Sequence, residues 1–155
     1  MQDRLDRIDD AILAELQNDA WLSNKELAKR VHLAPSSCLE RVRRLRELGA
    51  LTGFHASVDP RALGIGIQAL IAVQMRTHDS TRVHEFLDLA ATVPEVVAVF
   101  YLAGKTDFLV HVAVADSDHL RTMAIDTIGA LPEVAHVETS LIFDQRRNPV
   151  RRAIR

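Results

Sequence analysis

The spacing of apolar residues changes period near residue 51, and this limits the chain to a helical unit followed by a strand-rich one. Before that point Leu5, Ile8, Ile12, Leu13 and Leu16 recur at helical intervals. After it, apolar residues alternate or run together with β-branched neighbours, as in Ile67–Met75 and Phe108–Val114. A length of 155 residues holds one ordinary domain or two small ones. The single cysteine excludes an intrachain disulfide and a thiolate zinc cluster. No apolar run is long enough to span a bilayer. The charged opening MQDRLDRIDD lacks the core of a signal peptide, so a cytoplasmic location is expected, with no membrane partner.

The first third reads as three helices. Asn18 and Asp19 interrupt the first. Ser23 or Asn24 caps a second, with Glu26 three residues after Ser23 as in a capping box. It carries Leu27, Ala28 and Val31. His32, Leu33 and Ala34 make a tight connection. Pro35 suits the first turn of a third helix, whose buried stripe is Cys38, Leu39, Val42 and Leu45 and which Gly49 ends. Two short helices so joined form a helix-turn-helix. Off its stripe the third helix offers Ser36, Ser37, Glu40, Arg41, Arg43 and Arg44, residue types that hold phosphates or read base edges. The bare pattern fits a DNA-reading helix and a three-helix packing unit with a charged outer face about equally.

Charge is unevenly placed. The net value is -2, but residues 51–143 hold 5 basic against 11 acidic residues, while residues 144–155 hold 5 arginines and one aspartate. Such a distribution fits a modest nucleic-acid site on an acidic body, and a charge run on a solvated surface about as well.

Residues 51–58 alternate as a short strand, which Asp59-Pro60 breaks. Beyond a turn at 62–66, the order is βαββαβ: a strand at Ile67–Met75, a helix capped by Ser80 or Thr81, strands at Val96–Leu102 and Phe108–Val114, a helix capped by Asp116 or Ser117, and a strand at Val134–Phe143. Val93-Pro94-Glu95-Val96 is echoed by Leu131-Pro132-Glu133-Val134, each opening a strand after a helix. The fold class is therefore α+β, an N-terminal helix-turn-helix domain joined by a strand linker to a ferredoxin-like sandwich. The expected boundaries are 1–50, a linker at 51–66, a sandwich at 67–145 and a basic tail at 146–155. The helices cover one sheet face. The other is apolar and bare, which predicts a homodimer through the C-terminal sheet.

With these stretches in view, the chain resembles the Lrp/AsnC, or feast/famine, transcriptional regulators. The residues that carry the resemblance are Leu5-Asp6-Arg7-Ile8-Asp9, Leu27-Ala28-Lys29-Arg30-Val31, Pro35 through Leu45, and Gly104-Lys105-Thr106-Asp107-Phe108. It covers roughly residues 3–145. The resemblance implies a sequence-specific regulator that binds double-stranded DNA, is not an enzyme, has no cofactor or metal, and responds to a free amino-acid effector. It also implies dimers that assemble further into an octamer, a tetramer of dimers. DNA-binding residues would be Ser23, Asn24, Pro35, Ser36, Ser37, Glu40, Arg41, Arg43 and Arg44. Effector-binding residues would be Gly104 and Asp107, lined by Tyr101, Leu102, Ala103 and Thr106, with Thr139 and Ser140 added from the last strand. Asp107 would accept from an α-ammonium, and backbone N–H groups of the turn would donate to an α-carboxylate.

Four positions, at three places in the chain, depart from the family pattern. Ala20-Trp21 stands where Gly-Arg is usual, removing a candidate phosphate contact and leaving Trp21 to pack between helices. His32 stands where a glycine is usual, at a cost if φ is positive. Ala34 stands for the serine before the proline, removing a cap and a phosphate-binding hydroxyl. These changes motivate an alternative, an amino-acid-sensing oligomer with lost or weakened DNA binding. A purely structural assembly module is a third reading. The seven histidines form no H-x-x-x-H or H-x-H pair; His111 and His136 are expected to meet across the sheet as structural groups rather than metal ligands.

Overall fold

The structure, a computed structural model, describes residues 5–77, 79–146, 148 and 150. Four arginines of the basic tail, Arg147, Arg151, Arg152 and Arg155, lie outside the described residues. The chain divides into two compact units, parted between Ser57 and Val58 and again between Gln145 and Arg146. Among the described residues no helix is long and apolar enough to cross a membrane.

The first unit holds α1 (Arg7–Asn18), α2 (Asn24–Arg30) and α3 (Pro35–Glu47). Asp6 starts α1: its Oδ1 accepts the N–H groups of Ile8 and Asp9, both at 2.8 Å, and Asp9 Oδ2 accepts the Asp6 N–H at 3.1 Å. This is a capping box with aspartate in the returning position. The box at Ser23 and Glu26 forms as the spacing predicts. α2 ends when Leu33 N–H bonds Ala28 C=O at 2.8 Å, which puts His32 at φ 56°. That left-handed position is where glycine costs least. Ala34 precedes α3 and makes no side-chain cap bond. Ile12, Leu16, Leu27, Ala28, Val31, Cys38 and Leu45 bury one another and hold together helices too short to persist alone. Leu39, expected on the buried stripe, is exposed, because α3 turns it past the edge of this cluster.

Residues 52–59 are exposed and find no partner strand among the described residues. In the second unit a 3₁₀ turn at Pro60–Leu63 leads to β1 (Ile67–Met75), α4 (Ser80–Thr92), β2 (Val96–Tyr101), β3 (Phe108–Val114), α5 (Ser117–Arg121) and β4 (Val134–Leu141). The strands form one antiparallel sheet in the order β2-β3-β1-β4, as in the expected sandwich. The echoed motifs are one turn used twice: Val96 N–H bonds Val93 C=O and Val134 N–H bonds Leu131 C=O, each at 3.0 Å. Gly66 is required by a close approach, since a Cβ there would sit 2.3 Å from Ala115 C=O.

Asp79, rather than Ser80 or Thr81, caps α4, because its carboxylate reaches the Thr81 N–H at 2.9 Å. Asp116 caps α5. The second sandwich helix is not α-helical throughout. After α5 it widens into a π segment, Thr122–Ile128, closed by Gly129 N–H to Ala124 C=O at 3.0 Å.

Alternate residues of β1 and β3, among them Ile71, Val73, Phe108 and Val110, pack under Val83 and Phe86 of α4 and under Leu120 and Met123. Phe86 stacks on Phe108 at 4.4 Å. The opposite sheet face carries Leu70, Ala72, Ala98, Phe100, Leu109 and Ala113, by the strand register, and neither helix of this unit covers it among the described residues. His111 on that face hydrogen-bonds Gln68 at 2.9 Å. It does not meet His136: β1 lies between their strands, and His111 is level with Leu70 while His136 is level with Gln74.

Candidate nucleic-acid interface and candidate effector turn

The three arginines singled out on α3 do not share one environment. Arg41 Nη1 lies 2.8 Å from Asp6 Oδ2 and 2.8 Å from Asp9 Oδ1, and Arg44 Nη1 lies 3.1 Å from Asp9 Oδ2. Asp9 is fully buried, whereas Arg41 and Arg44 keep 28% and 37% of their side-chain surface in water. A buried carboxylate needs such partners, because the cost of leaving it unpaired far exceeds that of an exposed one. Asp6 is held below the ordinary carboxylate range, first by the Asp9 N–H and then by Arg41, and Arg41 is raised by its bonds to Asp6 and Asp9. Arg41 and Arg44 thus tie α3 to the start of α1. Only Arg43 stands fully outward, and no carboxylate among the described residues pairs with it.

Pro35, Ser36, Ser37 and Glu40 are exposed along the first turns of α3. With Ala34 making no cap, side chains leave the first N–H groups of the helix unfilled. Ser23 is engaged in its capping box, and Asn24 Nδ2 donates to Pro35 C=O at 2.8 Å, tying the start of α2 to that of α3. Arg46, on the same helix, lies over the Phe54 ring at 5.4 Å. Trp21 does not pack between helices. It is 95% exposed, because the apolar side chain that turns inward in the α1–α2 connection is Leu22.

In the second unit the turn between β2 and β3 is organised around Asp107. Its N–H donates to Val73 C=O at 3.0 Å, its C=O accepts Leu102 N–H at 2.8 Å, and its Oδ2 accepts Met75 N–H at 2.7 Å. The last bond falls where the β1–β4 register shifts between Gln74 and Met75, so the carboxylate meets a donor displaced by the bulge. Asp107 is 7% exposed. Tyr101, Leu102, Ala103 and Gly104 are exposed, Thr106 is half-buried, and Gly104 has φ 137°. Tyr101 tilts against Phe108 at 5.2 Å.

Thr139 and Ser140 are not brought to this turn. They lie on edge strand β4, level with Ile71 and Leu70, and β1 separates them from the β2–β3 hairpin. As successive strand residues they face opposite sides of the sheet. A cleft of about 380 Å³ opens at Asp59–Gln68 beside Ile142 and Phe143, and none of its lining residues belongs to the turn.

Comparison with known proteins matches both units. Residues 5–46 match the AsnC-type helix-turn-helix domain, and residues 68–150 match the Lrp/AsnC ligand binding domain. The chain is 42% identical over 143 residues to the HTH-type transcriptional regulator AldR of Mycolicibacterium smegmatis, covering 92% of this chain and 84% of that protein. It is 31% identical to a Neisseria meningitidis transcriptional regulator solved as an L-Met complex, with a TM-score of 0.86 over 94% of each chain. AsnC of Escherichia coli superposes with a TM-score of 0.80 at 25% identity, over 97% of this chain and 98% of that one.

Proposed function

Because the chain belongs to the Lrp/AsnC family of helix-turn-helix transcriptional regulators, we propose that it reads duplex DNA with the outward face of α3 and couples that binding to a small amino acid held by its C-terminal unit. One observation carries the DNA reading. Pro35, Ser36, Ser37, Glu40 and Arg43 are exposed on a helix whose other face is fixed by Leu45, Cys38 and the Asp9 clamp. Such a helix presents groups for phosphates and base edges at little ordering cost. Arg43 is the principal cation of this face. Arg41, Arg44, Ser23 and Asn24 support it from within, their polar atoms being bonded inside the unit.

The apolar sheet face with Phe100, Leu109 and Leu70 supports a homodimer in which a second copy covers it. Two copies of α3 then address two half-sites, and assembly of dimers towards an octamer multiplies the contacts. The working domains are 1–50, the linker 51–66, the sandwich 67–145 and the tail 146–155. The effector site is the turn Tyr101, Leu102, Ala103, Gly104, Thr106 and Asp107. Thr139 and Ser140 contribute from another protomer, since their own strand lies away from their own turn. The methionine bound by the neisserial relative supports an amino acid as the effector class.

The test is binding of the full chain to a duplex carrying its own upstream region, followed across salt. Affinity should fall steeply as salt rises. Arg43→Ala should weaken binding and lower the salt slope by about one unit. The uncapped Ala34 favours the second reading, an amino-acid sensor with weakened DNA binding. Salt-independent or absent binding, with native mass still shifting on adding an amino acid, would establish that reading instead.

A further inference from the structure

We propose that Leu39 is a specificity-determining residue of the DNA-reading helix, its side chain packing against the C5-methyl group of a thymine in the major groove. Resting on the DNA reading above, this names a base feature that the polar residues of α3 do not recognise. Helical spacing predicts Leu39 for the buried stripe, yet it is 40% exposed. Cys38, one residue before it, is fully buried, and the apolar residues packed against the helical core include Val42 but not Leu39. A lone exposed leucine is ordinary on a protein surface. This one stands within the face that carries Ser36 and Arg43.

Its place is set by α3 itself. Residues three and four apart are neighbours on a helix surface. Ser36 lies three before Leu39 and Arg43 four after it on α3, and all three are exposed. They form one row, with the leucine between a hydroxyl and the outward cation. Its other neighbours at that spacing are Pro35, exposed at the head of the helix, and Val42, which packs against the core. Arg41 and Arg44 are turned away to Asp9. Glu40, the next residue, is exposed about 100° further round the helix. In the major groove only thymine presents a methyl group; the other bases present donors and acceptors. Ser36, Glu40 and Arg43 can bond those polar groups, and Ser36 and Arg43 can bond phosphates. Leucine can do neither. Against a cytosine it would cover the N4 donor and leave it unpaired, whereas against a thymine it exchanges water for apolar contact.

Deoxyuridine pairs as thymidine does but lacks the methyl, so it removes the contact and keeps every base-pair hydrogen bond and phosphate. The experiment titrates the full chain into two end-labelled duplexes carrying its own upstream region, one with thymine and one with deoxyuridine throughout, and reads label anisotropy. The parent should bind the deoxyuridine duplex more weakly, by about fourfold for each methyl that Leu39 covers. Leu39→Ala should bind the thymine duplex more weakly and the two duplexes alike, with the parent's salt slope, because leucine carries no charge. Leu39→Met, which keeps an apolar side chain, should retain the preference. The parent's preference is measured without any variant. Equal binding of both duplexes by the parent overturns the proposal. So does a Leu39→Ala variant that keeps the parent's preference, which assigns the methyl to another residue or to DNA shape. A lower native mass for Leu39→Ala assigns Leu39 to a contact between copies and likewise overturns it. In each of these cases salt-dependent binding leaves the α3 reading standing. Flat anisotropy with both duplexes overturns the α3 reading, and this one with it.

Discussion

Asp9→Asn tests whether the recognition helix is held by charge or only by its apolar stripe. Asp9 is fully buried and takes three hydrogen bonds, from the Asp6 N–H, Arg41 and Arg44. Asparagine preserves the shape but removes the charge and one acceptor, leaving two cations facing an amide. Removing one partner of a buried pair typically costs about 3–5 kcal/mol. Here Arg41 and Arg44 keep 28% and 37% of their surface exposed, so water recovers part of that loss, and we expect about 2 kcal/mol. For a unit of this size that lowers the melting temperature by roughly 8–16 °C. The assay is thermal unfolding of the full chain by circular dichroism, with hydrogen exchange at the amides of α1 and α3 to assign the transition. A double-mutant cycle with Arg41→Met should give a coupling of about 1–2 kcal/mol. If Asp9→Asn shifts the helical transition by under about 3 °C, or its effect simply adds to that of Arg41→Met, the clamp does not hold α3 and the division between Arg41 and Arg43 is wrong.

Ala34→Ser should stabilise α3 by about 1 kcal/mol, because it supplies the missing cap; urea unfolding of the full chain measures it. His32→Gly relieves a positive φ and should stabilise the first unit by about 0.5 kcal/mol after the extra freedom of the unfolded glycine is subtracted, read in the same way. Asp6 has a depressed folded pKa, so its contribution is present above the ordinary carboxylate value and is lost as pH falls through the lower folded one; α1 should loosen only below about pH 4, and Asp6→Asn should flatten that part of the stability profile. Asp107→Asn keeps an oxygen for the Met75 N–H but removes the charge an ammonium needs; DNA binding without effector should persist while the amino-acid response disappears, measured as the change in native mass and in duplex affinity.

Where local chemistry decides the structure, it can be read directly. The Ser23–Glu26 box, Pro35 at the head of α3 and the paired Pro-Glu turns before β2 and β4 all depend on residues within four positions of one another. The ends of elements are less legible because competing donors decide them. Asp79 takes the cap from Ser80, and the helix after Asp116 widens into a π segment because Gly129 lets its N–H reach back five residues. The place of Trp21 is hard to read for a similar reason: its apolar character says that it prefers burial, but only the turn geometry says that Leu22 takes the inward position.

The candidate site follows the same rule at longer range. Arg41, Arg43 and Arg44 look equivalent in a sequence, since all three lie off the apolar stripe and all can hold phosphate. A signal separating them was present: Asp6 and Asp9 are three apart at the head of α1, as Arg41 and Arg44 are three apart on α3, and such pairs share one helix face. Matching those faces requires knowing that α1 and α3 pack side by side, which spacing alone does not give. The consequence is physical. An arginine already satisfied by two carboxylates has less to gain from a phosphate than one in open water, because it must give up bonds of similar strength. Arg43, with no such bonds to surrender, is the residue through which salt and sequence should act on DNA binding.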